Sequence, residues 1–247
     1  MIKKTIRLEG LVLRSLDIDQ TKEFYQDLLQ TEFKLEKNDR EVSYYAARDS
    51  QRMLFEIYPC IKAVTPPSPN LTFQVLRKNI IQERIQNYLE EEMKQTGYHQ
   101  WEILDPDHRK ITLRQDEGMD ELIALKSVGI HSPNQLSVRD FYRILLGVKE
   151  TEKNADDSTK YYSFSVGRHD LELYPSDDFV VPASPSFIFE THKLDAFIDK
   201  IHYGVFKQSL PRKLMFADPC GRKIHLYERP KKTSWCEKIL DRFVSYR

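Results

Sequence analysis

The sequence repeats itself, and this repeat constrains the fold more than any other feature. Residues 105–113, DPDHRKITL, return at 218–226 as DPCGRKIHL, 113 positions later (218 minus 105). Self-similarity at a fixed separation predicts two structurally equivalent halves. Three further pairs lie at nearly the same separation: Phe24-Tyr25 and Phe141-Tyr142, Tyr44-Tyr45 and Tyr161-Tyr162, Glu56 and Glu172.

Length and composition agree with two domains. The 247 residues, 40% of them hydrophobic, suffice for two domains of about 120 residues, each with its own core. Lys plus Arg equals Asp plus Glu at 38 each, so no net charge attracts a nucleic acid or an anionic membrane. Cys60, Cys220 and Cys236 are odd in number and lack CxxC spacing, which argues against a disulfide framework or a thiolate zinc site. With no signal peptide and no run of 18 apolar residues, we predict a cytoplasmic protein.

Hydrophobic periodicity predicts the same order of elements in both halves: a strand, a helix and two or three further strands, given twice per half. The helix that begins near Ile81 is expected to stop at Gly97, and Gly147 is expected to end the first helix of the second half. The proline-rich stretches 63–70 and 180–186 are predicted linkers. The predicted strands are 6–16, 41–47, 53–58, 71–76, 101–104, 110–113, 125–131, 160–166, 170–174, 187–191, 214–217 and 223–227.

These patterns carry a family resemblance. Four βαβββ modules, with Phe-Tyr in the helix of each odd module and Asp-Pro before the last strand of each even module, resemble the vicinal oxygen chelate superfamily. That superfamily includes glyoxalase I, bleomycin-resistance and fosfomycin-resistance proteins and extradiol dioxygenases. The resemblance covers about residues 5–228. Within the superfamily, residues 97–106, GYHQWEILDP, and 130–134, IHSPN, resemble the streptococcal CppA family, which is described as a complement-degrading proteinase family.

The resemblance implies an α+β fold of two tandem glyoxalase-like domains, residues 1–118 and 119–230. A capping box at Ser234 and Glu237 predicts an additional amphipathic helix at 231–247.

The resemblance also implies where a metal would bind. In metal-using members, up to four strand positions hold a divalent ion inside a U-shaped sheet. A catalytic metal centre usually needs three protein ligands, and Ser, Thr, Asn and Gly replace imidazole or carboxylate poorly. We therefore predict no metal cofactor; a divalent metal, if bound, would be held by Glu172 and His225. The matching positions are Gly10, Glu56, Asn70 and Thr112 in the first half, and Ser127, Glu172, Ser186 and His225 in the second.

Other side chains are expected near these positions. Strand alternation places His131 on the same face as Ser127. Glu56, Glu172, His131 and His225 have an alternative reading as buried, hydrogen-bonded core groups. The remaining histidines, His99, His108, His169, His192 and His202, are expected at the surface. Tyr45, Tyr58, Tyr162 and Tyr174 are predicted to face inward and to line a pocket. The candidate pocket residues are His131, Glu172, His225, Tyr162, Ser127, Ser186 and Glu56.

Three functions follow as expectations. The first is a metal-free protein that binds a small organic ligand in an aromatic-lined cup, with neither nucleic acid nor membrane as partner. The second is a metal-dependent glyoxalase- or dioxygenase-type enzyme that uses Glu172 and His225. The third, implied by the CppA resemblance, is a virulence-linked proteinase or a factor that contacts a host protein. No GxSxG or HExxH motif supports a proteinase.

Overall fold

The computed structural model describes residues 6–37, 41–60, 70–89, 93–155, 159–176, 186–192, 194 and 212–229. The predicted helices at 194–201 and 231–247 and most of both predicted linkers lie outside these residues. No described helix is long and apolar enough to cross a membrane. The described elements are β1 (Arg7–Ser15), α1 (Ile18–Leu29), β2 (Lys34–Lys37), β3 (Ser43–Arg48), β4 (Leu54–Pro59), β5 (Asn70–Val75), α2 (Lys78–Ile85), β6 (Lys94–Gly97), β7 (Gln100–Leu104), β8 (Lys110–Gln115), β9 (Ile123–Ser132), α3 (Gln135–Leu146), β10 (Thr151–Asn154), β11 (Lys160–Val166), β12 (His169–Pro175), β13 (Ser186–Thr191), β14 (Lys213–Ala217) and β15 (Lys223–Glu228).

The strands form two mixed sheets. The first has the order β14-β15-β13-β1-β4-β3-β2, and the second has the order β10-β11-β12-β9-β5-β8-β7-β6. Read from opposite ends, the two orders match strand for strand, apart from the extra edge strand β6. The predicted equivalence of the two halves is confirmed for the order of the strands, since Glu56 and Glu172 lie on equivalent strands, β4 and β12.

The pairing of the modules differs from the sequence prediction. Each sheet contains one module from each half of the chain: the first sheet joins modules one and four, and the second joins modules two and three. The joints are the antiparallel pairs β1 with β13 and β5 with β9. The expectation that each half of the chain supplies all four metal-ligand positions of one site is therefore wrong, because each sheet takes two of them from each half. The division of the chain at residue 118 stays a prediction.

Each sheet packs one face against helices. On β1 and β4 the side chains Leu11, Leu13, Phe55 and Ile57 are fully buried and belong to one core cluster with Phe24 and Tyr25 of α1. The same cluster contains the helix-side residues of the second sheet, such as Phe73 and Leu171. Because strand side chains alternate, the residues between these core positions point to the other face, which we call the open face of each sheet.

The helix ends follow their capping residues. Asp17 accepts a hydrogen bond from the Gln20 amide at the start of α1, and Asn134 accepts one from the Ser137 amide at the start of α3. Gly147 ends α3 at φ 66°, as predicted.

Three predicted details are wrong. The helix expected to reach Gly97 ends at Ile85, and Gly97 closes the edge strand β6 instead. Strands β2 and β10 were not predicted because their sequences, KLEK and TEKN, are charged edge strands without apolar alternation. His169, expected on the surface, is buried, and its Nδ1 lies 2.9 Å from the Leu125 carbonyl oxygen.

The repeated DPxxR motif forms a turn that ties the two sheets together. In the turn between β7 and β8 of the second sheet, Arg109 Nε lies 2.6 Å from Asp105 Oδ2. Arg109 also donates to the carbonyl of Arg14 on β1 and to Asp107, which itself accepts from the Leu16 amide. One turn of the second sheet is thereby joined to the first strand of the other sheet.

The equivalent turn between β14 and β15 belongs to the first sheet and is joined in the same way to a strand of the second sheet. Arg222 pairs with Asp218 at 2.9 Å and donates to the carbonyl of His131 on β9. Cys220 stands where the first turn has Asp107, and the buried Arg222 Nε has no hydrogen-bond partner. The second turn therefore lacks one carboxylate that the first turn uses.

Candidate functional site

The open face of the first sheet brings Glu56 and His225 together. Val12 lies beside both Glu56 and Ser186 in the sheet, while Ile188 lies between Gly10 and His225. We call this set of open-face residues the first cup. His225 is thus on the opposite sheet from Glu172, which lies on β12. The predicted pairing of Glu172 with His225 is wrong because modules one and four, rather than three and four, share a sheet.

Glu56 is a carboxyl group held partly out of water. Burial raises its pKa to about 7, with a further upward effect from Glu36, while Lys213 and Arg48 act in the opposite direction. No described side chain donates a hydrogen bond to it. A carboxyl group with a pKa near neutrality can both give and accept a proton at physiological pH.

His225 is a neutral imidazole at neutral pH. Burial, together with the nearby charges of Lys213, Lys223 and Arg14, lowers its pKa to about 4. The charge of Lys213 therefore affects the pKa of both Glu56 and His225.

Stacked tyrosines form part of the wall of the first cup. The rings of Tyr44 and Tyr58 stack at 4.4 Å between centroids, and Tyr44 donates a hydrogen bond to Glu36. Tyr58 faces inward as predicted, whereas Tyr45 lies on the helix side, where its hydroxyl donates to Asp19 of α1. The inward member of this tyrosine pair is Tyr44.

Three cations line the same face. The Arg14 guanidinium lies 5.1 Å from the centre of the Tyr58 ring, and the Lys213 ammonium lies 4.9 Å from the centre of the Tyr227 ring. Lys223 follows on β15, two residues before His225. Among the described residues, none of the three forms an ion pair.

The open face of the second sheet, which we call the second cup, holds a closed polar network. Glu172 Oε2 accepts a hydrogen bond from Ser127 Oγ at 3.1 Å and another from the Tyr174 hydroxyl at 2.9 Å. Glu172 is only 6% exposed. This carboxylate therefore fits the alternative reading from the sequence, a buried acceptor that satisfies its neighbours.

His131 also belongs to the second cup. Its Nε2 lies 3.0 Å from Asn70 Nδ2. Burial lowers the pKa of His131, so the imidazole is neutral at physiological pH. The ring also stacks on Tyr174 at 5.4 Å. His131 lies on the same face as Ser127, as alternation predicted, and pairs with Tyr174 across the strands.

Tyr162 is not in the second cup. It pairs with Leu173 on the helix side of the sheet, and the Arg139 guanidinium of α3 lies 5.2 Å from its ring centre. Its neighbour Tyr161 takes the open-face position and stacks on Tyr174 at 4.6 Å. In both Tyr-Tyr pairs the prediction assigned the wrong tyrosine to the open face. Neighbouring residues of a strand point to opposite faces of the sheet, so an error of one residue places the side chain on the wrong face.

The metal-ligand positions do not make a good metal site in either cup. The first cup offers Glu56 and His225, with Gly10 and Ser186 at the remaining positions. The second offers Glu172 with Ser127, Asn70 and Thr112. One or two strong donors fall short of the three that a stable site uses, and no cluster of three or more His, Cys, Asp or Glu side chains suited to a metal occurs in the described part of the chain.

Several residues of the first cup were missed from the sequence. Arg14 and Lys213 read as ordinary charged residues on predicted strands or at their ends, and Tyr44 was passed over for its neighbour. A usable signal was the alternation itself: Arg14 lies four residues after Gly10, and Tyr44 two residues before Ala46, which pairs with Glu56.

Comparison with solved structures identifies the fold. Glyoxalase I from Zea mays matches with a TM-score of 0.72 at 16% identity, over 91% of this chain and 93% of that chain. A proposed dioxygenase from Bacillus subtilis subsp. subtilis str. 168 matches with a TM-score of 0.66 at 12% identity, over 93% and 87%. The cppA protein from Streptococcus pneumoniae TIGR4 matches with a TM-score of 0.53 at 11% identity, over 91% and 98%.

These matches confirm the predicted fold class: the chain has the α+β vicinal oxygen chelate fold in its tandem form. At 11–16% identity they establish the fold and carry no activity over to this chain. No protein-family model matches the sequence, and the search of curated proteins finds no significant relative.

Proposed function

We propose that this chain binds a small organic ligand in the first cup, without a resident transition metal. The observation that carries the proposal is the environment of His225. Its imidazole would be a metal ligand in a metal-using relative, yet Lys213, Lys223 and Arg14 surround it with positive charge. A divalent cation entering the cup would meet this repulsion with only Glu56 as a second strong donor.

The second cup is a weaker candidate. Its carboxylate accepts hydrogen bonds from Ser127 and Tyr174, and the Nε2 of its imidazole is paired with Asn70. By contrast, Glu56 and His225 receive no hydrogen bond from any described side chain. Polar groups that are partly buried and not engaged by the protein are the ones that a ligand can satisfy.

Met215 offers a direct test because its side chain lies beside His225 on the open face. With the methionine methyl groups labelled with ¹³C, a set of neutral, anionic and cationic aromatic fragments can be titrated. We expect binding fragments to shift the Met215 methyl resonance and to leave that of buried Met53 unchanged. Shifts confined to other methionines, or no shift at all, would contradict a ligand site in the first cup.

Proton-transfer catalysis is the second candidate function. The pKa of Glu56, about 7, suits a group that takes a proton from a bound ligand and returns it. Replacement of Glu56 by Gln would then abolish exchange of ligand protons with solvent deuterium while leaving ligand binding intact. Equal exchange in the wild type and in Glu56→Gln would exclude this candidate.

The CppA resemblance adds the third expectation, a proteinase or a factor that contacts a host protein. The likeness to the Streptococcus pneumoniae protein supports the shared fold. The activity stays a prediction, which incubation of the purified chain with serum complement proteins would test by the appearance of cleavage products or of a co-purifying complex. The cytoplasmic location expected from the sequence likewise stays a prediction, to be tested by cell fractionation.

A further inference from the structure

The two cups carry different charged residues at equivalent positions, although they are built from equivalent strands. In the second cup, Lys110 Nζ lies 2.6 Å from Glu102 Oε1, so its charge is neutralised by a neighbour. The equivalent residues in the first cup, 113 positions later, are Lys223 and Met215. Methionine in place of glutamate leaves Lys223 without that partner.

A second difference between the cups also adds positive charge to the first cup. On β9, one of the two strands of the joint in the second sheet, His131 is a neutral ring that stacks on Tyr174. The equivalent residue in the first cup, 117 positions earlier, is Arg14, whose guanidinium stands over Tyr58. A permanent cation therefore replaces a neutral imidazole at this position.

Lys213 adds a third positive charge. Its equivalent in the second cup is Gln100, whose side-chain oxygen accepts a hydrogen bond from Arg114. Lys213 is held against the Tyr227 ring and influences the pKa of both Glu56 and His225, which places its charge within the cup.

These three substitutions add positive charge to the first cup, whereas Glu36 in place of Lys153 and Tyr227 in place of Arg114 act in the opposite direction. Interactions with tyrosine rings position two of the cations without neutralising them. Of the described carboxyl groups on this face, Glu190 is paired with Arg229 at 3.4 Å, Glu36 accepts a hydrogen bond from Tyr44, and Glu56 experiences the charge of Lys213. The cup thus combines three cations that have no ion pair among the described residues with an aromatic wall.

We propose that the first cup binds a small organic anion, whose charged group pairs with Arg14, Lys213 and Lys223 and whose apolar body packs against the tyrosine rings. This inference rests on the proposed function and specifies its ligand class. A carboxylate or phosphate group supplies oxygen acceptors for the ammonium and guanidinium donors. The aromatic wall favours a flat, apolar body of the size of a single ring.

Four one-ring probes separate charge from shape: benzoate, phenyl phosphate, benzamide and benzylammonium. Each is titrated into wild-type protein with ¹³C-labelled methionine methyl groups, and the Met215 resonance gives the affinity. We expect both anions to bind more tightly than neutral benzamide, and benzylammonium not to bind. Benzoate and phenyl phosphate together show whether the cup prefers a carboxylate or a phosphate group.

The variant Lys213→Gln/Lys223→Gln tests the origin of the preference. We expect the affinity for both anions to fall about threefold to tenfold, on the scale of partly exposed charge pairs, and the affinity for benzamide to stay unchanged. Lys110→Gln, the matched change in the second cup, should leave all four affinities as in the wild type. Raising the salt concentration should weaken anion binding in the wild type and have less effect in the double variant.

The outcomes distinguish this inference from the proposed function. Equal affinity for benzamide and the anions, with no effect of the double variant, would overturn the anion preference and leave ligand binding in the first cup standing. Preferential binding of benzylammonium would also overturn it. Failure of all four probes to shift the Met215 resonance at millimolar concentration would overturn both.

Discussion

Tyr25 of α1 donates a hydrogen bond to Asp105, with 2.9 Å between its hydroxyl oxygen and Asp105 Oδ2. The helix packs on the first sheet, whereas Asp105 belongs to a turn of the second. Tyr142 of α3 and Asp218 repeat this contact at 3.1 Å with the sheets exchanged. The Phe-Tyr and Asp-Pro motifs that mark the repeat in the sequence are therefore the two ends of one contact between sheets.

The buried pair of Asp105 and Arg109 gives the first prediction. Both side chains are at most 2% exposed, and Arg109→Leu would leave the Asp105 carboxylate buried without its cation. We expect a loss of about 3–5 kcal/mol in the free energy of unfolding, measured by urea denaturation. Lys37→Ala, which removes an exposed ion pair with Glu41, should cost little. A loss below about 1 kcal/mol for Arg109→Leu would contradict the structural role of the turn.

The missing carboxylate in the second turn gives the second prediction. Cys220→Asp would place a carboxylate where the first turn has Asp107, which accepts from the Arg109 guanidinium, and the guanidinium of the equivalent Arg222 still has an unpartnered Nε. We expect the free energy of unfolding at pH 7 to rise by about 1–2 kcal/mol. The reverse change in the first turn, Asp107→Cys, should lower it. If Cys220→Asp were neutral or destabilising, the two turns would not be equivalent.

The two equivalent glutamates give the third prediction, because they have different surroundings. Glu172→Ala would leave the Ser127 and Tyr174 hydroxyl groups without their acceptor, and we expect a cost of about 2–3 kcal/mol in the free energy of unfolding. Glu56→Ala removes a carboxyl group to which no described side chain donates, so at pH 8 it should not destabilise the fold. Chemical denaturation of both variants measures the difference, and equal losses would argue against a functional role for Glu56.

The fourth prediction concerns pH. The folded-state pKa of Glu56, about 7, lies above the ordinary value of 4.5, so the folded chain binds the proton more tightly than the unfolded chain. Its contribution to stability is therefore complete below about pH 4.5 and is lost as the pH rises through 7. His225, with a pKa lowered to about 4, acts in the opposite sense: its contribution is complete above about pH 6.5 and is lost as the pH falls towards 4.

Glu56→Gln separates the two effects. Relative to the wild type, this variant should gain about 1–3 kcal/mol in the free energy of unfolding between pH 5 and pH 8. Urea denaturation at the two pH values measures the change. A difference between variant and wild type that does not vary with pH would show that the pKa of Glu56 is not raised in the fold.

The sequence predicted much of the fold because each module is locally complete. The apolar alternation of residues 6–16, the capping residue Asp17 and the glycine at position 147 each act within a few residues of their own element. The pairing of modules could not be read in the same way. Both halves carry the same motifs, so the pattern of hydrophobic residues does not say whether β1 pairs with β5 or with β13, and the predicted partnership of Glu172 with His225 failed for this reason.

The site was predictable only in part. Glu56 and His225 lie on an open face, each between two fully buried core residues, and Ser127 and Ser186 occupy open-face positions on β9 and β13. The inward tyrosines were assigned to the wrong neighbours, since both members of each Tyr-Tyr pair are partly apolar and either face could accept them. The charge difference between the cups depends on contacts across strands, such as that of Lys110 with Glu102, which the sequence does not display.

The metal content of the purified protein tests the central claim most directly. After equilibrium dialysis against iron, manganese, zinc and nickel, elemental analysis is made of the wild type, Glu56→Gln and His225→Ala. With one carboxyl group, one imidazole and three nearby cations in the first cup, we expect all three proteins to contain the same negligible amount of metal. One equivalent of metal in the wild type, lost in both variants, would contradict the metal-free ligand site proposed for this chain.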